Sequence, residues 1–168
     1  MDTVIDFIRH GEPEGGRRFR GHNIDDPLSQ KGWQQLWSAV AEQAPWSRLI
    51  SSPLLRCRAF AEALSQRHGL PLRIEADFRE VGFGCWEGLS PDQVAREQSQ
   101  AYAAFYADPL HQRPEGAEPL LAFSERVGTG LARLLRDHPG EHLLVVAHAG
   151  VIRAVLGQVL QAPPLAWY

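Results

Sequence analysis

Val4-Ile5-Asp6-Phe7-Ile8-Arg9-His10-Gly11-Glu12 is a short apolar run that stops abruptly in Arg-His-Gly. Its length and apolar content predict a strand. A strand delivers its last side chains to one edge of its sheet, and in open α/β sheets ligands collect at that carboxyl edge. A guanidinium, an imidazole and a glycine therefore stand in a row where a ligand is expected. His142-Leu-Leu-Val-Val-Ala-His148 repeats the arrangement far along the chain and ends in His-Ala-Gly. Its unbroken apolar character predicts a central strand buried on both faces.

Helical patterns alternate with these strands. Ser29 is an N-cap candidate, and Trp33, Leu36, Trp37 and Val40 repeat at helical spacing, predicting a helix over 30–43 that Pro45 ends. Arg48 to Ser52 reads as a second strand. Pro53 is expected to open a helix with Arg56 in its first turn, with Cys57, Phe60, Ala61 and Leu64 on its buried face and Gly69 as its stop. Leu70 to Ile74 reads as a short strand near a sheet edge, because Pro71 cannot donate to a ladder. The span 75–88 has no clean period but holds glycines and aromatics, as an ordered functional loop does. Ser90-Pro91-Asp92-Gln93 combines a capping box with a first-turn proline and starts a helix over 91–106. A polar loop over 108–118 follows, so 90–118 reads as a lid-like segment. Leu120, Phe123, Val127, Leu131 and Leu134 mark the next helix, and Val151, Ile152, Val155, Leu156 and Val159 the last. The alternation predicts an α/β fold of three layers, α/β/α, around a mostly parallel sheet. At 168 residues the chain reads as a single domain, 1–168.

Composition narrows the function classes. No apolar run approaches the length of a membrane span, and no leader-like pattern opens the chain. Cys57 and Cys85 make no disulfide framework, so a cytoplasmic setting is expected, with Cys57 as a small core hydrophobe. A net charge of −3 argues against nucleic acid as a partner. Of 17 basic residues only Lys31 is a lysine, which leaves guanidinium as the main cation for holding an anion. Arg17, Arg18 and Arg20 crowd a Gly-Pro-rich loop just behind the first strand, where one can reach over a pocket to a substrate anion.

If the two histidine-ending strands are neighbours, His10 and His148 meet at one edge, and Arg9 and Arg56 can join them. Two guanidiniums and two imidazoles together call for an anion. A phosphoryl group suits them, because guanidinium bonds pairs of phosphate oxygens and stays charged. The first turn of the last helix adds backbone donors. Neutral imidazole attacks phosphorus to give a covalent intermediate in two easier steps. A carboxylic acid from the 75–88 loop would protonate the leaving alcohol, with Glu80, Glu87, Asp77 and Glu12 as candidates. No cysteine-based phosphatase loop, Walker loop or helical metal-ligand pair is present, so no metal and no cofactor is expected. His22, His68, His111 and His138 read as surface residues.

At these residues the chain resembles the histidine phosphatase superfamily, the phosphoglycerate-mutase-like proteins. Arg9-His10-Gly11-Glu12, Ser52-Pro-Leu-Leu-Arg56, Arg79-Glu80-Val-Gly-Phe-Gly84 and Val146-Ala-His148 look like its four signature stretches, in its order. The resemblance implies that His10 is phosphorylated and that Glu80 is the proton donor. It implies that Arg9, Arg56 and His148 bind the phosphoryl group, together with the backbone at Gly11 and Ala149 and with Arg20. The length and Phe-Gly-Cys-Trp-Glu-Gly88 look most like the small phosphatases, and Arg20 to Ser29 is similar to the α-ribazole-phosphate phosphatase branch of bacterial cobalamin synthesis. The implied activity is hydrolysis of a small phosphorylated metabolite. The alternatives are a broad-specificity or protein phosphohistidine phosphatase, or an inactive phosphate-binding module on the same fold. Two departures stand out. Pro13 and Gly16 occupy places where the family often has Thr and a phosphate-holding Asn, so Arg17, Arg18 or Arg20 would substitute. The family's sheet order resembles 3-2-4-1-5-6, and this chain ends before the last two strands. The first strand is then expected at an exposed edge, open to pairing with a second copy as a homodimer, unless the sequence is a truncated product.

Overall fold

The computed structural model describes residues 2–40, 42 and 44–167. Four strands, β1 (Val4–Arg9), β2 (Arg48–Ser51), β3 (Leu72–Ile74) and β4 (His142–Ala147), form one parallel sheet in the order β1-β4-β2-β3. The helices are α1 (Gln30–Ala39), α2 (Leu55–His68), α3 (Pro91–Glu97), α4 (Ser99–Ala107), α5 (Leu120–Asp137) and α6 (Ala149–Val159). Alternate residues of the central strands face opposite cores, as the two-residue period of a strand requires. Ile50, Leu143, Val145 and Ala147 pack with Phe123, Val127 and Leu134 of α5 and Val151 and Val155 of α6. Leu49, Leu144 and Val146 pack with Leu36 of α1 and Cys57, Phe60 and Leu64 of α2. That is the expected α/β/α sandwich.

Register brings the site together. Arg9 pairs with Ala147 and Ser51 with Val146, so β1, β4 and β2 end level. The ladder continues one residue further at each outer strand. His10 N–H donates to Ala147 O at 3.0 Å and Ser52 N–H to Val146 O at 3.0 Å. His10, His148 and Ser52 therefore emerge side by side. β4 is central and almost wholly buried, whereas β1 is an edge strand whose outer side pairs with no strand among the described residues.

Several boundaries differ from the sequence reading, each for a tertiary reason. The first helix stops at Ala39, where Val40 turns to extended backbone. The predicted tail over 41 and 43 lies outside the described residues. The second helix starts at Leu55, two residues after Pro53, and the cap comes from another loop, with Asp25 Oδ1 accepting from Leu55 N–H at 2.6 Å. The predicted helix over 91–106 is two helices, broken at Gln98, whose side chain accepts the Trp86 indole N–H at 2.8 Å. The capping box of Ser90 and Gln93 is present. His138 is buried against Glu141 rather than exposed. The 75–88 loop winds into two short 3-10 turns, Ala76–Phe78 and Gly84–Trp86. A third small core of Trp86, Val94 and Phe105, with Phe19, Phe83, Leu89 and Tyr102 against it, supports the α3–α4 flank. Among the described residues no helix is long and apolar enough to cross a membrane.

Candidate active site

His10 stands at the end of β1 with its ring 5.2 Å from that of His148, at 62°. Its Nδ1 lies 2.7 Å from Gly11 O. A carbonyl only accepts, so Nδ1 carries the proton and Nε2 keeps a free lone pair. Burial pushes the imidazole pKa down to about 3, against the Gly11 hydrogen bond, and the Arg56, Arg9 and Arg20 charges push the same way. The ring is therefore neutral near pH 7 and nucleophilic at Nε2. Gly11 must be glycine here, because a Cβ would run into the backbone carbonyl of Gly32 at the start of α1. The loop is held further by Glu12, whose carbonyl accepts from both the backbone and the hydroxyl of Ser29.

His148 is wholly buried at the mouth of α6. Its Nε2 shares a 2.7 Å hydrogen bond with Ser52 Oγ, and Cys57 Sγ packs 3.5 Å from the same nitrogen. Burial and the neighbouring Arg56 hold its pKa well below the usual value. Cys57 donates to Ala147 O at 3.3 Å, and burial pushes its thiol out of the reactive range.

Arg56 is 1 % exposed, and desolvation lowers its pKa. Its two Nη groups donate to Ile24 O at 2.9 Å and Gly21 O at 2.8 Å, which clamps the 21–24 loop over α2. Its Nε has no partner among the described residues. A buried N–H without an acceptor is costly, and a phosphoryl oxygen would satisfy it. Arg56 lines a cavity of about 160 Å³ together with Arg9, His10, Arg18, Phe19, Arg20, Gly21, Glu80 and Phe83. Arg9, His10, Arg18 and Arg20 also line a wider cavity of about 490 Å³ that extends past Gly11, Pro13, Gly16 and Arg17 to Gln35.

Glu80 is the carboxylate that reaches the smaller cavity. Its Oε1 accepts from Val81 N–H at 3.0 Å and its Oε2 from Gly150 N–H at 3.2 Å. Those bonds favour the charged form, yet burial outweighs them and raises the pKa above the ordinary carboxylic value. Gly150 is open for the same purpose, since a Cβ there would overlap Glu80 Oε1. The backbone around Glu80 is fixed from below. Arg126 donates to the carbonyls of Asp77, Arg79 and Glu80 and forms a bidentate pair with Glu118 at 2.7 and 2.8 Å. His22 Nδ1 adds a 3.1 Å bond to Glu80 O. The other carboxylates of the sequence reading are occupied elsewhere. Glu87 accepts from Phe83 N–H and Asn23 N–H, tying two loops together, Asp77 pairs with Arg133, and Glu12 pairs with Lys31.

The arginine loop divides its labour. Arg20 lines both cavities but directs Nε to Asp26 at 2.9 Å and Nη2 to the carbonyls of Glu14 and Gly16. It is first a brace for the 14–26 loop. Arg18 bonds Gly15 O through two nitrogens. Arg9 and Arg17 have no hydrogen-bond or ion-pair partner among the described residues. Ala149 is the first residue of α6, two residues before Val151, the first residue the sequence reading gave to this helix, and the Gly150 N–H is taken by Glu80. Among the described residues no group of three or more His, Cys, Asp or Glu side chains converges as metal ligands would.

The model of the histidine phosphatase superfamily (branch 1) matches residues 5–168. The chain belongs to that superfamily. With that membership it is a phosphoric monoester hydrolase. It is 30% identical over 161 residues to the adenosylcobalamin/α-ribazole phosphatase of Salmonella typhimurium, covering 94% of this chain and 79% of that protein. The crystal structure of a putative α-ribazole-5′-P phosphatase from Escherichia coli superposes with a TM-score of 0.87 at 27% identity, over 99% of this chain and 84% of that one. A mycobacterial glucosyl-3-phosphoglycerate phosphatase superposes with a TM-score of 0.83 at 28% identity, over 96% and 81%.

The fold brings His10, Arg9, Arg56, Glu80 and Arg20 to one cavity, with His148 against His10 and with Gly11 in the wider cavity beside it. Sequence reasoning missed Ser52 as the partner of His148, Gly150 as the seat of the Glu80 carboxylate, and Arg126 with Glu118 as the support of the Glu80 backbone. Ser52 and Gly150 adjoin signature residues and had a local signal. Arg126 and Glu118 had none, because the backbone groups they hold lie 46 to 49 and 36 residues away in sequence.

Proposed function

We propose that this chain is a metal-independent phosphomonoesterase that hydrolyses a small phosphorylated metabolite through a phosphohistidine intermediate. His10 Nε2 attacks phosphorus as the bond to the leaving oxygen breaks, and Glu80 gives its proton to that oxygen. Water then attacks the phosphohistidine. Glu80 takes the water's proton, the N–P bond breaks and phosphate leaves. Arg9, Arg56 and His148, with the backbone at Gly11 and Ala149, hold the charge that gathers on the phosphoryl oxygens. Arg20 supports them from the loop. The observation that carries the reading is one cavity lined by the His10 ring, the Glu80 carboxylate and the Arg9 and Arg56 guanidiniums, with His10 Nδ1 tethered to Gly11 O. His10 is held neutral with Nε2 free, and Glu80 is pushed toward the protonated form.

We further propose α-ribazole 5′-phosphate as substrate, on the resemblance of Arg20 to Ser29 and the names of two relatives. In this reading the chain works as one domain with 90–118 as its lid. Both cysteines are free thiols, which suits a cytoplasmic setting. The test is hydrolysis of p-nitrophenyl phosphate with and without EDTA, combined with alkaline trapping of the phosphoenzyme. Activity that survives chelation and a base-stable phosphoenzyme absent from His10→Ala are expected. Loss of activity on chelation, or a His10→Ala variant as fast as wild type, overturns the mechanism. A screen of α-ribazole phosphate, phosphoglycerates, nucleotides and sugar phosphates tests the substrate.

A further inference from the structure

The smaller catalytic cavity borders another one. Phe19 and Phe83 form part of its wall, and the same two rings line a third cavity of about 270 Å³ completed by Phe105, Tyr106 and Arg153. Arg153 of α6 is the charged residue in its lining, and the Arg113 guanidinium lies over the Phe83 and Phe105 rings at 5.6 and 5.9 Å. The two shared rings sit 5.0 Å apart at 49°, and Phe83 meets Phe105 edge-on at 6.2 Å. Their backbones are pinned. Phe19 exchanges hydrogen bonds with Gly88 and Leu89, and Glu87 accepts from Phe83 N–H. The rings are therefore preorganised.

A cluster that served packing alone would bury its rings together. Trp86 and Phe105 are indeed 1 % exposed. Phe19 and Phe83 remain half-buried, and Tyr106 is 54 % exposed. Aromatic surface left open beside a catalytic carboxylate marks a ligand surface.

We propose that this aromatic cleft is a binding subsite for a flat ring carried by the leaving alcohol, so that the preferred substrate is a nucleoside-like monophosphate. The inference rests on the catalytic reading above, because Glu80 as proton donor defines which side of the phosphorus the alcohol leaves from. With the leaving oxygen at Glu80, the rest of the alcohol extends along Phe83 and Phe19 into the third cavity. A heterocycle there has aromatic faces to stack on, and Arg153 at the rim. Stacking tolerates many bases, so the subsite selects a planar ring rather than one pattern of hydrogen bonds. α-Ribazole 5′-phosphate is of this class, and an open-chain phosphoglycerate is not.

The experiment compares adenosine 5′-monophosphate with ribose 5-phosphate, which share the same primary phosphoester and differ by the ring. Wild type is expected to prefer the nucleotide by about tenfold in kcat/KM, mainly through KM. Tyr106→Ala should cut that preference by about fivefold and leave ribose 5-phosphate within about twofold of wild type, while Tyr106→Phe keeps the preference. Adenosine should inhibit wild type competitively and Tyr106→Ala much less. Equal use of both esters by wild type overturns the subsite, as does a Tyr106→Ala variant that loses both in parallel. If wild type hydrolyses neither ester nor p-nitrophenyl phosphate, the catalytic reading fails first and the leaving-group subsite falls with it.

Discussion

Two strands of this sheet end in histidine, and they are built differently. β4 lies between β1 and β2 with five of its six residues buried, and His148 at its end is fully buried. β1 lies at the edge with no residue fully buried, and His10 at its end remains partly open to the cavity. His148 is gripped by another strand's residue, Ser52, and packed against Cys57. His10 is oriented by its own neighbour, Gly11. In the proposed mechanism the contrast separates two tasks. A ring that holds an anion gains from rigid burial. A ring that must form and break a bond to phosphorus needs an exposed nitrogen and a short local tether.

The strongest way to break this comparison is to delete each ring in turn. His10→Ala should lower kcat by at least about 10³-fold and abolish the phosphoenzyme, as expected of a nucleophile. His148→Ala should lower it by about 10²-fold and still form the phosphoenzyme slowly, as expected of a charge-stabilising donor. Rapid-quench measurement of the phosphoenzyme decides it, and equal losses would dissolve the distinction.

The next effect is a pH profile. In the proposed mechanism His10 attacks as the neutral ring, so kcat/KM is expected to rise as pH climbs through about 3. Glu80 gives its proton in the first step of that mechanism, so kcat/KM is expected to fall as pH climbs through its raised pKa. Glu80→Gln should cost about 10²- to 10³-fold and erase the alkaline limb, whereas Glu87→Gln keeps it. An alkaline limb that persists in Glu80→Gln would move the acid role elsewhere.

A smaller effect separates activity from stability. Gly150→Ala places a methyl on the Glu80 carboxylate, so kcat should drop about tenfold. The same change improves helix propensity by about 1 kcal/mol in α6, so the melting temperature should not fall in proportion. Parallel loss of both would mean that the methyl disturbs packing rather than the acid.

The mildest probe loosens His148. Ser52→Ala removes its hydrogen-bond partner and should cost about 1–3 kcal/mol of stability for the polar group left buried, read by denaturant melts. Its kcat should fall about tenfold with the His10 acid limb unmoved. A shifted acid limb would show that the two rings titrate as one unit.

How much was legible follows the distance between partners. The strand ends, Arg-His-Gly and Ala-His-Ala-Gly, announce themselves locally, and alternation of strand and helix sufficed for the α/β/α layers. Boundaries failed where a remote group intervened. Gln98 leaves the helix to meet Trp86, and the α2 cap comes from Asp25. Arg20 was legible as a cation near the site, but its bonds to Asp26 and two carbonyls, which brace the loop at the border of both cavities, were not.

By itself the sequence determined which groups are present and on which strand ends they sit, because strand periodicity and turn chemistry are local. It also determined the excess of guanidinium over other cations. Tertiary structure alone decided what those groups do. Burial among arginines holds His10 neutral, a glycine on α6 seats the Glu80 carboxylate, and an arginine of α5 fixes the backbone beneath it. Protonation depends on desolvation and on charges that folding assembles from distant positions, and no local pattern carries that sum.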